Sequence, residues 1–357
     1  KSRGFELMDY LSSTMKQVSV AIAGAILMAL RIGLSAAATP SGAAPLFEKV
    51  DRYETTIATN NDLADIYFPI SSNTQTKTEA FPIALLLPGA LVDKSYYSNF
   101  ARIVASYGFV VVVPNHTRSV PTLGVKRLLA ETAQINHLLN YMVKENSNPT
   151  SPIAGMLDAK KLVLLGHSYG GAVGMTAVEN SCIFPLCEGN FTRPDALIGG
   201  AFYGTHRKDL KTGKFSATKN SGIPIALVEG SRDGVATPDE VQGTYELIQD
   251  RPKMLITVNG ANHFSITDVN NPAGAKPDSS NPTLDQAVAT ETIARWSALF
   301  LRAYALHDAS ALDYLKNTGN SRDENVKVMS QAQPVSEPVL ILSVLIFSIC
   351  NISLIKF

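Results

Sequence analysis

Residues 162–171 read LVLLGHSYGG, and the rest of the chain is best read outward from them. Four apolar, β-type residues run into a turn of small residues centred on Ser168, and a helix-compatible stretch, residues 172–179, follows. Strand, sharp turn and helix are the setting of a nucleophile elbow. A serine hydroxyl is a weak nucleophile at neutral pH, so it must be held exposed with a base beside it. Gly166 and Gly170 leave room for a tight turn, and Gly171 lets the following helix pack close to the strand. An ordinary β–α turn uses the same small residues; the flanking strand and helix separate the two readings.

An elbow of this kind expects an acid and then a histidine later in the chain. Residues 223–229, IPIALVE, lead into GSRDGVATP and place Asp233 in the turn at a strand's end, while residues 254–258, MLITV, do the same for GANHF and His263. In an open parallel sheet the functional groups gather at the carboxyl ends of the strands, so both turns can converge on Ser168. His263 would take the serine proton and Asp233 would fix its tautomer and stabilise the imidazolium. Asp268, in the His263 loop, is the alternative acid. Among the other histidines, His167 sits in the elbow as a packing or hydrogen-bonding residue, and His137 and His307 lie on helical runs. His116 follows a strand at 108–113 and is placed to line the pocket, with His206 a weaker candidate.

The oxyanion of an acyl-transfer reaction needs two backbone N–H groups. One belongs to Tyr169, after the nucleophile. The strand 82–87 runs into PGALV and makes Ala90 the second donor, with Leu91 the alternative. By their positions near strand ends, Leu91, Tyr96, Tyr97, His116, Phe202, Tyr203 and Phe264 are expected to shape the substrate pocket.

Composition bounds the function. The 357 residues carry no formal net charge and are 45% hydrophobic, which describes a globular chain without the basic stripe that nucleic acid demands. Residues 52–58 and 64–68 read as an opening hairpin turned at Asn60-Asn61-Asp62, residues 126–142 and 287–306 as amphipathic helices, and residues 208–222 as a surface loop. Trp296 falls on the core face of the last helix. No apolar insertion is long enough for a large helical lid, so the pocket should be open. Cys182 and Cys187, in CIFPLC, are a candidate disulfide and a poor zinc site. The oxygen-rich loop holding Asp268, Asn270 and Asp278 matches no calcium spacing and reads as solvated. The sequons at Asn115 and Asn190 fit the glycosylation pattern. No metal or cofactor is called for, and no oligomeric state is specified.

Both ends differ from this body. With Met15 as a start, Lys16 gives a short basic region, residues 18–30 an apolar one and residues 35–38 a cleavage site before Thr39, so residues 1–38 read as upstream sequence plus a signal peptide. A catalytic domain is expected over 39–311, a polar linker over 312–337 and a hydrophobic tail over 338–357. The run 339–355 is at the short limit for a membrane span and also fits the removable signal for a lipid anchor. These ends imply secretion or a cell-surface location with membrane association through the tail; an uncleaved N-terminal membrane anchor and an organelle address are the competing expectations.

Taken together, PGA at 88–90, GHSYGG at 166–171, GSRD at 230–233 and GANHF at 260–264 resemble the α/β-hydrolase superfamily over most of the chain between its ends. The chain looks most like the small-lid branch of chlorophyllases, dienelactone-hydrolase-like proteins, platelet-activating-factor acetylhydrolases and cutinase-type polyester hydrolases. That resemblance implies an α/β fold with a mostly parallel sheet of about eight strands flanked by helices. It also implies a cofactor-free carboxylic-ester hydrolase acting on a small-molecule or lipid-like ester. A peptidase or thioesterase would use the same triad, and a non-catalytic binding or adhesion module would use the same fold.

Overall fold

Parallel strands covered by helices on both faces must be apolar throughout, and three stretches meet that demand: β3 (Phe81–Leu87), β4 (Val110–Asn115) and the second half of β7 (Leu157–His167). The computed structural model describes residues 43–70, 80–120, 125–209 and 211–331. All the elements below belong to the unit that starts at Pro45; of the preceding unit, Lys1–Ala44, only residues 43 and 44 are described.

The hairpin expected at the start is present as β1 (Lys49–Ile57) and β2 (Asp62–Ile70), with Asn61 in the left-handed conformation at its turn. After β3 and β4 the sheet continues through β7, β8 (Leu197–Tyr203), β9 (Ile225–Gly230) and β10 (Lys253–Val258). The order is β1-β2-β4-β3-β7-β8-β9-β10, closed by one further strand, β11 (Val326–Gln331). From β4 to β10 every pairing is parallel, while β2 and β11 attach antiparallel at the two sides.

The two-residue alternation of β3 divides the core. Ile83, Leu85 and Leu87 join a cluster with residues of α2 (Ala133–Ser147), α3 (Tyr169–Val178) and α4 (Pro238–Glu246). On the other face, α1 (Ser98–Ser106) and α5 (Gln286–Ala305) pack against each other. Each helix starts at a strand's carboxyl end or in the loop after it, so the loops on that edge are the ones the sheet brings together.

Two expectations are corrected here. The helix anticipated from residue 126 starts at Ala133, because residues 125–128 instead form β6 (Val125–Leu128), laddered with β5 (Thr117–Val120) in a small hairpin. The supposed linker from residue 312 is folded as far as Gln331. The open edge of β10 needs a partner, which β11 supplies. Before it, Tyr314 and Leu315 are buried, and Asp323 accepts from Trp296 Nε1 at 2.8 Å and from Arg295 at 2.9 Å. With β11 the sheet has nine strands. The signal-like segment and the tail at 338–357 lie outside the described residues. Among those described, no helix is long and apolar enough to cross a membrane.

Candidate active site

The turn between β7 and α3 places Ser168 at φ +53°, ψ −120°, a region that costs a non-glycine residue about 1–3 kcal/mol. The surroundings hold it there. Ser168 N–H donates to the Tyr203 carbonyl at the end of β8, 2.9 Å away, and α3 lies hard against the end of β3. A Cβ on Gly170 would sit 2.1 Å from the Leu87 carbonyl oxygen, and one on Gly166 2.7 Å from Gly171 Cα.

Ser168 Oγ is 2.9 Å from His263 Nε2, and His263 Nδ1 is 2.8 Å from Asp233 Oδ2. The other oxygen of Asp233 accepts the N–H groups of Val235 and Ala236, both at 2.8 Å. Asp233 and His263 are buried, while Ser168 is half-buried. The three side chains thus form one hydrogen-bonded row that leads from a buried carboxylate to the hydroxyl of half-buried Ser168. Asp268, the alternative acid, is elsewhere. Its carboxylate accepts from Ser98 N–H, Ser98 Oγ–H and Asn99 N–H, and so caps the start of α1.

His167 lies behind this row and is fully buried. Its Nε2–H donates to the His263 carbonyl at 2.9 Å, which leaves Nδ1 to accept from the Tyr97 hydroxyl at 2.8 Å. Burial, with nearby His263 adding to it, holds the His167 pKa well below its ordinary value, so the ring is neutral. Tyr97 in turn accepts the Gly89 N–H at 2.9 Å. The loop after β3 and the backbone of His263 are therefore joined through one buried ring.

The Gly89–Leu91 turn carries the expected oxyanion donors. Leu91 N–H is spent on the Leu128 carbonyl at 2.9 Å, which removes it as a donor. The N–H groups of Ala90 and Tyr169 meet no acceptor among the described residues.

Of the residues expected to line the pocket, only Leu91 and Tyr96 are half-exposed. Tyr97 serves the buried link just described. Phe202 packs under α3, so close that a Cβ on Gly174 would meet its ring at 2.3 Å. Tyr203 is buried with its hydroxyl on the Asn262 carbonyl. Phe264 stands edge-on to the His263 ring, with centroids 5.1 Å apart, and supports it. Position near a strand end selects the loop; the side of the strand on which a residue falls decides whether it meets solvent or core.

His116 is corrected as well. Its Nδ1 faces Asp62 Oδ2 at 2.7 Å and its Nε2 faces Glu131 Oε1 at 3.1 Å. Burial disfavours its charged form, but the two carboxylates outweigh that and raise it to about 9. It is a buried imidazolium that ties β2 to the loop after β6, and its carbonyl accepts Leu129 N–H. Because the folded pKa lies above the unfolded one, the stabilisation is complete below about pH 6.5 and is lost as pH rises toward 9. Its size is about 3 kcal/mol. Urea unfolding across pH 6–10 should show this loss, and His116→Asn should be less stable at pH 6 with most of the slope between pH 7 and 9 removed. An unchanged slope would remove His116 as its source.

Cys182 and Cys187 are joined, with Cα atoms 5.0 Å apart. The loop they close presents the Pro185 carbonyl to Arg118 and, at 3.1 Å, to the Tyr169 hydroxyl. His206 lies half-buried near Glu240, 3.9 Å away, over the helix that follows the Asp233 loop.

A nine-stranded, mostly parallel sheet with an elbow serine after its central strand, and an acid and a histidine after later strands, leaves one assignment. This is the α/β-hydrolase fold. Residues 47–181 match the family model described as Chlorophyllase, the branch the sequence resembles. The match is shorter than half the chain and runs from β1 past the end of α3, so it takes in the Ala90 turn and the elbow, while Asp233 and His263 lie beyond it. No curated protein matches the chain. The family match implies an ester hydrolase.

Sequence reasoning missed the hydrolase fold's support around His263. The loop read as solvated is folded on two buried residues, Asn262 and Asp278. Asn262 Nδ2 donates to Ser280 O at 2.8 Å and to Asn270 Oδ1 at 3.0 Å. The only sequence signal was the density of Asn and Asp itself, which marks tight loops and solvated ones alike.

Proposed function

We propose that the protein is a serine carboxylic-ester hydrolase that works through Ser168, His263 and Asp233. The observation that carries this reading is the unbroken hydrogen-bonded row from Asp233 through His263 to Ser168, ending at a strained elbow, with the Ala90 and Tyr169 N–H groups left without an acceptor among the described residues.

His263 Nε2 accepts the Ser168 proton as Oγ attacks the ester carbonyl, and Asp233 stabilises the imidazolium through Nδ1–H. The Ala90 and Tyr169 N–H groups receive the negative charge that develops on the carbonyl oxygen. Collapse of the tetrahedral adduct breaks the ester C–O bond; the leaving alcohol takes the proton from His263 and an acyl-Ser168 remains. Water, deprotonated by His263, then attacks the acyl-enzyme and regenerates Ser168 with release of the acid. The half-exposed nucleophile suits small-molecule or lipid-like esters. The Cys182–Cys187 disulfide supports an oxidising compartment, in keeping with a secreted or cell-surface enzyme.

Purified protein should turn over short-chain p-nitrophenyl esters and become stoichiometrically labelled at Ser168 by a serine-directed phosphonate, located by peptide mass. Absence of both turnover and label would refute the reading. Turnover with the label on another residue would refute the choice of nucleophile.

A further inference from the structure

We propose that Asp278 is a positioning residue for the Ser168–His263–Asp233 row, acting by locking the base loop to the acid loop through one carboxylate oxygen. The inference rests on the hydrolase reading above and adds to it a residue that contacts none of the reacting atoms.

Asp278 Oδ2 accepts two backbone N–H groups, that of His263 at 3.0 Å and that of Gly234 at 3.2 Å. The first belongs to the base and the second to the residue after the acid. Oδ1 accepts Ser280 N–H at 2.8 Å. Asp278 is 3% exposed, and no Lys, Arg or His forms an ion pair with it among the described residues. A buried carboxylate without a countercharge is costly unless its oxygens are hydrogen-bonded, and here three main-chain N–H groups meet that need. The carboxylate is itself held: Asp278 N–H donates to Asn271 Oδ1 at 2.8 Å, and Asn271 Nδ2 donates back to the Asp278 carbonyl at 3.3 Å.

The acid loop divides its amides between two carboxylates. Gly234 N–H goes to Asp278, while Val235 and Ala236 N–H go to Asp233. The orientation of the Asp233 carboxylate, which sets its reach to His263 Nδ1, is therefore fixed by a turn that Asp278 anchors at its first residue. The fit leaves no slack, because a Cβ on Gly234 would stand 2.6 Å from Asp278 Oδ1. Gly234 is thus specified by the approach of Asp278. β9 and β10 set the two loops side by side, Arg232 N–H donates to the Ala261 carbonyl and Gly260 N–H to Ser231 Oγ, both at 2.9 Å, and Asp278 adds a bridge at the His263 and Gly234 amides themselves.

Geometry held to within a fraction of an ångström is what proton transfer in such a row requires, and a displacement of about 1 Å costs on the order of 100-fold in rate. Three variants test the role: Asp278→Asn, which keeps one acceptor oxygen, Asp278→Ala, which keeps none, and Gly234→Ala, which keeps the carboxylate but pushes it from the acid loop. Ester kinetics and phosphonate labelling rates are measured with each melting temperature. Expected are kcat losses of about tenfold for Asp278→Asn, about 100-fold for Asp278→Ala and at least tenfold for Gly234→Ala. KM should stay within about twofold and labelling should slow in parallel. Asp268→Ala, in the same loop but capping α1, should lower the melting temperature and leave kcat within about twofold, which separates positioning from loop stability.

If the wild type labels at Ser168 and the folded variants label at its rate, the role of Asp278 is overturned while the hydrolase reading stands. If Asp278→Ala fails to fold, Gly234→Ala decides: undiminished kcat in that variant overturns the proposal. If the wild type itself neither turns over ester nor labels, both readings fall together.

Discussion

Ser168→Ala should lower kcat by about 10⁶-fold with little change in substrate binding, the loss seen when the nucleophile of such a row is removed. His263→Ala should fall nearly as far. The double variant should be no worse than either single within a few-fold, because the residues act as a unit and the remaining rate comes from the Ala90 and Tyr169 N–H groups and from binding. Asp233→Asn should lose less, about 10⁴-fold, and here the surroundings give a specific cause. Val235 and Ala236 N–H both point at Oδ1 of Asp233, so the carbonyl oxygen of the introduced amide is held on that side and its NH₂ faces His263 Nδ1. The ring must then carry its proton on Nε2, where it cannot accept one from Ser168. Stopped assays at high enzyme concentration, with each melting temperature as a control, measure all four. A Ser168→Ala variant that keeps more than about one hundredth of the wild-type kcat would be incompatible with a covalent mechanism at this residue.

Gly170→Ala should prevent stable folding, with a loss above about 4 kcal/mol. The added Cβ would lie 2.1 Å from the Leu87 carbonyl oxygen and 2.5 Å from that of Pro88. Both are main-chain atoms at or just past the end of β3, and neither can turn aside as a side chain would. Relief would require α3 to retreat from the sheet, which would also unseat Ser168 at its start. Gly155→Ala is the contrast. Gly155 has φ +71° but no described residue within 4 Å of an added Cβ, so the backbone penalty applies, about 1–2 kcal/mol. Chemical denaturation of the two variants should separate them clearly. A Gly170→Ala protein as stable as Gly155→Ala would mean that the helix and strand are not in contact as described.

Much of the fold was legible because it depends on local pattern. Continuous apolar runs mark β3 and β4, and the small residues of the elbow can be explained one by one. The chain order of Ser168, Asp233 and His263 was legible for the same reason, since each follows a strand-like run and strand ends share one edge of a parallel sheet. What failed were readings that need a partner. Residues 126–128 carry a helical pattern, yet they form β6 because their main chain pairs with β5. β11 is short and half polar, and it is a strand because β10 needs an edge covered. His116, Tyr97, Phe202 and Tyr203 stand at the positions of pocket residues, but their side chains are taken up by Asp62 and Glu131, by Gly89 and His167, and by the core.

The sequence by itself determined that an elbow serine, an acid and a histidine would meet at one edge of a parallel sheet, because strand periodicity and turn chemistry act over a few neighbouring residues. The tertiary structure alone decided how they are held. Spending the Leu91 N–H on Leu128, placing neutral His167 between Tyr97 and the His263 backbone, and giving one oxygen of Asp278 to both His263 and Gly234 join residues far apart in the chain. Such bonds are fixed by which buried polar groups can find partners once the core has closed, and no local pattern carries that information.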